Sequence, residues 1–134
     1  MPPPADKYRL SGKILVVDDV EENRELMQYY LQRAGAQVVL AEDGKVALES
    51  LKGSHGYSLV LMDMQMPEVD GYTAVKSLRD QGFLTPIVAV TAHTLTGDRE
   101  KCILAGCDEY VPKPINPDVL LETCQTLQLR ARAA

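Results

Sequence analysis

The sequence predicts a doubly wound α/β fold of the (βα)5 type, with a parallel five-stranded sheet in the order 2-1-3-4-5. Three observations carry this. Short apolar runs alternate with stretches of helical periodicity along the whole chain. Two of the runs, 59–62 (Leu-Val-Leu-Met) and 87–90 (Ile-Val-Ala-Val), are apolar without interruption, as strands covered on both faces are. Four of the runs stop on polar groups (Asp18-Asp19, Asp63, Thr91 and Lys113), and the carboxyl edge of an open α/β sheet is where ligands bind. Strict alternation implies right-handed crossovers with helices on both faces. Of the two common doubly wound orders, five strands fit 2-1-3-4-5.

The elements follow in chain order. Residues 1–12 are Pro-rich and polar, end in Ser11-Gly12 and read as a flexible leader or linker. The domain proper spans 13–128, and 129–134 is a C-terminal tail. Strands are expected at 14–17, 38–41, 59–62, 87–90 and 110–111. The first helix, 21–34, opens on two acids that suit the helix dipole, sets Met27, Tyr30, Leu31 and Ala34 on one face, and stops at Gly35. The second, 45–51, carries Ala47, Leu48 and Leu51. The third, 71–79, carries Val75 and Leu78 behind Asp70 as its cap. The fourth, 97–105, carries Ile103 and Leu104 and ends at Gly106. The fifth starts at Asn116 with Pro117 in its first turn and aligns Leu120, Cys124 and Leu127.

Size and composition narrow the function. With 134 residues the chain makes one domain with a sizeable core, and 46% hydrophobic and 25% charged residues are an ordinary globular balance. No apolar stretch approaches a membrane span, and the start lacks the apolar core of a signal peptide. The net charge of −5 argues against a nucleic-acid footprint. Three cysteines without a CxxC spacing read as buried thiols in a reducing cytoplasm.

In the expected strand order the first and third strands are neighbours, which brings Asp18, Asp19 and Asp63 together at the switch point. Two like charges about 4 Å apart repel by roughly 4 kcal/mol at an effective dielectric of 20. Such a cluster persists only with a proton or a cation, and hard oxygen ligands favour Mg²⁺, with Mn²⁺ as a substitute. Thr91 adds a hydroxyl and Lys113 an ammonium to the same edge. The set suits phosphoryl transfer to a carboxylate. One of the acidic pair also caps the first helix, Asp19 by its position. His93 is a bystander at the rim of the site, His55 a loop residue, and the Met62-Met64-Met66 alternation is packing, because sulfur suits softer metals.

The runs 14–19 (Ile-Leu-Val-Val-Asp-Asp) and 61–67 (Leu-Met-Asp-Met-Gln-Met-Pro), then Asp70-Gly71, Thr91-Ala92 and Lys113-Pro114, resemble the response-regulator receiver domain, in wording close to receivers fused to hybrid sensor kinases. The resemblance covers about residues 13–127. It implies a flavodoxin-like fold and a place in a two-component phosphorelay. Asp63 would accept a phosphoryl group from phosphohistidine on a histidine kinase or phosphotransfer domain. Asp18, Asp19, Asp63 and the backbone carbonyl of Gln65 would hold Mg²⁺. Lys113, before a cis proline, would pair with the phosphoryl group. Thr91 would follow it inward, and Tyr110 would swing into the vacated space. The face made by the fourth helix, fifth strand and fifth helix would then engage a downstream partner. The location implied is cytoplasmic, without nucleic acid or direct membrane contact. The chain would be a stand-alone regulator or a piece of a hybrid kinase.

Three other functions compete. An aspartate-nucleophile phosphatase would want a second acid two residues after the nucleophile, where Gln65 stands. A flavodoxin-type FMN carrier would want a hydroxyl- and glycine-rich loop after the first strand, where acids stand. A docking module with a silent site shares the whole pattern.

Overall fold

The computed structural model describes residues 8–51, 56–66, 70–92 and 98–133. His55, Pro67, His93 and the expected start of the fourth helix at Gly97 lie outside the described residues. The order is β1 (Lys13–Val17), α1 (Glu21–Arg33), β2 (Gln37–Ala41), α2 (Gly44–Ser50), β3 (Tyr57–Asp63), α3 (Gly71–Asp80), β4 (Ile87–Thr91), α4 (Asp98–Ala105), β5 (Glu109–Pro112) and α5 (Pro117–Ala133). All strand pairs are parallel and the sheet runs β2-β1-β3-β4-β5, the order expected from the sequence.

The period-2 alternation of each strand splits the core into two layers. Ile14, Val16, Leu59, Leu61, Val88, Val90 and Val111 face α1 and α5. Leu15, Val17, Val60, Met62, Ile87 and Ala89 face α2, α3 and α4. β2 is one of the two edge strands, and only Ala41 of its five residues is buried.

Local chemistry sets the helix ends. Asp43 accepts from Val46 N at 2.9 Å, Asp70 from Tyr72 N at 3.2 Å, and Asn116 from Asp118 N and Val119 N at 2.9 and 3.2 Å. α1 ends where Gly35 takes φ 112°, a conformation that only glycine adopts without strain. Met27 and Leu31 are fully buried on α1, as are Leu120 and Cys124 on α5. Met62, Met64 and Met66 are all packed in the core, and the three cysteines are free and buried.

Four expectations need correction. α1 has no side-chain cap from Asp19; its N-cap is Val20, and Asp18 makes the local hydrogen bond instead, accepting from Val20 N at 2.8 Å. On α4 the buried residue is Cys102, whereas Leu104 is 88% exposed and Ile103 half-exposed. The helix is turned by its contact with α3, where Cys102 Sγ lies 3.9 Å from Tyr72 Oη. Residues 8–12, read as part of a leader, belong to the domain, because Tyr8 and Leu10 are buried in the core layer shared with α1 and α5. The tail read at 129–134 is helical as far as Ala133, as Leu-Arg-Ala-Arg-Ala are strong helix formers that continue α5, with Leu129, Arg130 and Ala131 exposed.

Candidate functional site

The strand register assembles the site. Val17 pairs with Met62, so Asp18 follows β1 at the level of Asp63, the last residue of β3. Asp63 pairs with Val90, and Thr91 with Pro112, so Thr91 and Lys113 emerge at the same edge. Backbone bonds continue the ladder just past the strands: Met64 N to Val90 O at 3.0 Å and Lys113 N to Thr91 O at 2.8 Å. Gly71 lets α3 start directly against this turn, since a Cβ there would stand 2.6 Å from Met64 Cα.

Carboxylate oxygens of Asp18, Asp19 and Asp63 all lie within 4.8 Å of one another, with Asp18 and Asp63 buried and Asp19 exposed. Lys113 Nζ sits 3.3 Å from Asp63 Oδ1 and 3.4 Å from Asp18 Oδ2. One ammonium thus contacts two of the three clustered acids. Asp63 is only 1% exposed, and its Oδ1 also accepts from Gln65 N at 3.0 Å. Burial pushes the Asp63 carboxyl up from 3.8 to about 6, Asp18 adds to the rise, and the Gln65 N–H and Lys113 oppose it. The Lys113–Pro114 bond is cis, as the resemblance implies.

Asp18 Oδ2 and Asp63 Oδ2 are buried without a hydrogen-bond partner among the described residues. Buried carboxylate oxygens are costly in that state. Two such atoms beside an exposed third carboxylate form a set of hard oxygen donors that suits a small divalent cation.

Thr91 is fully buried at the end of β4 and Tyr110 is half-buried on β5, packed on the α2–α4 side of the sheet. The sequence also holds a contact that its pattern does not disclose. The Gln65 side chain bridges two strand ends: its Nε2 donates to Thr91 Oγ1 at 2.6 Å, and its Oε1 accepts from Ala92 N at 3.0 Å. Arg24 was likewise silent in the sequence; its Nη1 donates to the Asp18 carbonyl at 2.8 Å and fixes the turn that presents Asp18 and Asp19. An arginine on the first helix of any α/β domain carries no signal of that contact.

Fold and site together define a doubly wound domain with an acidic cluster and one lysine at the carboxyl edge of its sheet. The chain belongs to the response regulator receiver domain family, whose model matches residues 14–125. It is 42% identical over 122 residues to hybrid signal transduction histidine kinase I of Dictyostelium discoideum, a match covering 85% of this chain and 7% of that protein. It is 40% identical over 111 residues to two-component response regulator ORR41 of Oryza sativa subsp. japonica, covering 81% of this chain and 87% of the relative. Among solved structures, the receiver domain of Francisella response regulator 1452 superposes with a TM-score of 0.84 at 29% identity, covering 90% of this chain and 98% of that one. The chain is therefore a receiver domain of the two-component type, a module that occurs both within hybrid kinases and in response regulators. Among the described residues no helix is long and apolar enough to cross a membrane.

Proposed function

We propose that this domain takes a phosphoryl group from phosphohistidine onto Asp63, in a reaction that uses a divalent cation, and acts in the cytoplasm as one step of a phosphorelay. The observation that carries the reading is the convergence of Asp18, Asp19 and Asp63 within 4.8 Å, with Lys113 Nζ 3.3 Å from Asp63. Asp18, Asp19, Asp63 and the Gln65 carbonyl would hold Mg²⁺, with Mn²⁺ as a substitute. When bound, the cation offsets the negative charge of the acids and of the incoming group.

The residues divide the work. One carboxylate oxygen of Asp63 forms the new O–P bond while the N–P bond of phosphohistidine breaks and its electron pair returns to the imidazole. Lys113 lies near both buried acids and would pair with a phosphoryl oxygen as charge builds there. Thr91 would donate a hydrogen bond to the same group. The product is an acyl phosphate, so the state is transient by hydrolysis.

Signal output would be a shift between two conformations. The phosphoryl group adds roughly −1.5 to −2 charges. It would draw Lys113 and Thr91, and the Gln65 bridge to Thr91 would have to part. Tyr110 would move into the space beside Thr91 and change the face formed by α4, β5 and α5, where a downstream partner would dock. Moving such an equilibrium from 1:99 to 99:1 takes about 5.5 kcal/mol of differential interaction. A few charge-assisted contacts supply energies of that order.

The test is incubation with a small phosphodonor and Mg²⁺, read by intact mass. One added phosphoryl group is expected, lost in Asp63→Asn and without Mg²⁺. An unmodified wild-type chain, or a labelled Asp63→Asn, refutes the proposal.

A further inference from the structure

The segment that precedes β1 is built into the domain. Tyr8 is 5% exposed and Leu10 6%, and both belong to the core layer that holds Met27 and Leu31 of α1 and Leu121 and Cys124 of α5. Its backbone has partners along both helices. Leu10 N donates to Ala34 O at 2.8 Å at the end of α1. Arg9 N donates to Gln125 Oε1 at 2.7 Å, and Ser11 N to Gln128 Oε1 at 3.1 Å, while Gln128 Nε2 donates back to Ser11 O at 2.8 Å. Two glutamine side chains of α5 thus do what a neighbouring strand would do. Gly35 leaves room for the approach, since a Cβ there would stand 2.7 Å from Leu10 O.

The other end of this segment reaches toward the acidic edge. Tyr8 Oη donates to Asp118 Oδ1 at 3.0 Å, and Asp118 lies in the first turn of α5. Only residues 114–117 separate it from Lys113, whose Nζ contacts Asp63 and Asp18. Asn116 ties that connection to the helix through its bonds to Asp118 N and Val119 N.

We propose that residues 8–11 form a strap that couples the phosphoacceptor edge to the N-terminal side of the domain; this rests on the reading of Asp63 given above. A pull on Lys113 moves the connection to α5 and its first turn. The Tyr8–Asp118 contact then parts and the strap loosens from the seam between α1 and α5. The domain thereby has a second output, carried by the backbone that leads into β1 and separate from the α4, β5 and α5 face. Coupling of this kind is reciprocal: a loosened strap must favour the loaded site by the same factor.

Backbone amide exchange on the full chain, with and without Mg²⁺ and beryllofluoride as the phosphoryl mimic, tests the strap. Loading is expected to speed exchange at Arg9, Leu10 and Ser11 about fivefold, the weight of one net hydrogen bond. Tyr8→Phe, which keeps the ring, should show that faster exchange before loading and bind beryllofluoride more tightly. Asp118→Ala, at an exposed position, should do the same by the other partner. If the Gln65 and Ala92 amides respond to loading and residues 9–11 do not, the strap is a static seam and the proposal falls alone. If neither group responds, the reading of Asp63 falls and takes the strap with it. Unchanged beryllofluoride affinity in both variants, despite faster exchange, also overturns the coupling.

Discussion

The two edges of the sheet solve the problem of buried polarity in opposite ways. At the amino edge, Gln128 is 8% exposed, yet its amide is matched: Oε1 accepts from Ser11 N, and Nε2 serves Ser11 O and Ser58 Oγ. Nearby, Arg79 donates to the carbonyls of Gly106, Phe83 and Thr85 and to Asp108, which in turn accepts from Ile87 N at the start of β4. At the carboxyl edge, by contrast, Asp18 and Asp63 each keep one buried oxygen without a hydrogen bond and share a single lysine. Complete matching rigidifies a fold, and incomplete matching leaves a place for something else to bind. The difference teaches that this domain is held together at one end and kept unsatisfied at the other.

The largest expected effect is on chemistry at the unsatisfied edge. Asp63→Asn should abolish phosphoryl labelling while leaving the far-UV circular dichroism unchanged. Residual labelling at the wild-type rate would break the contrast by moving the acceptor elsewhere. Next comes Arg79→Ala at the matched edge, which takes the shared donor from three carbonyls and the ion pair from Asp108 and should cost about 2–4 kcal/mol in urea denaturation. Labelling per folded molecule should survive it. A loss below 1 kcal/mol would show that water replaces the guanidinium and that the amino edge is not the stabilising one.

The same acid should also show a stability effect of the opposite sign. In the folded chain the Asp63 carboxyl sits at about 6 rather than 3.8, so between those values the folded state holds a proton that the unfolded state has shed. Without metal, stability therefore falls as pH rises through that window, by roughly 1–3 kcal/mol in all. Asp63→Asn should gain about that amount at pH 7 and flatten the profile, and Mg²⁺ should stabilise the wild type but not the variant. Calorimetry from pH 4 to 7 reads all three, and a stability that climbs across that range would contradict the unsatisfied edge. The smallest effect is expected from Gln65→Ala. Loss of its bridge should cost about 1 kcal/mol or less and shift amide resonances around Thr91 and Ala92. Shifts that reach the Arg79 bracket would mean the two edges are not independent.

Most of the fold and the acidic edge were legible because their signals are local. An apolar run that stops on Asp18-Asp19, Asp63, Thr91 or Lys113 announces both a strand and what stands at its end. The expected order then brings the groups together without further information. What escaped depended on partners far away in sequence. Tyr8 and Leu10 sit in a short polar stretch, and only the seam between α1 and α5 makes them core. The Gln65 side chain gains its meaning from Thr91, 26 residues away. Leu104 satisfied helical periodicity and is still 88% exposed, because an eight-residue helix is oriented by its neighbour rather than by its own pattern. Asp19 lost the capping role to backbone geometry, which left Val20 at the N-cap and turned Asp18 toward the loop.

The buried cysteines have a practical corollary. Burial lifts the thiols of Cys107 and Cys124 to about 12, and Cys102 is fully enclosed. Maleimide dyes attack thiolates at accessible positions, so the native chain offers them almost no background. A single cysteine placed at Leu104 could therefore carry a fluorophore and follow α4 in real time, without first stripping the protein of its own sulfur.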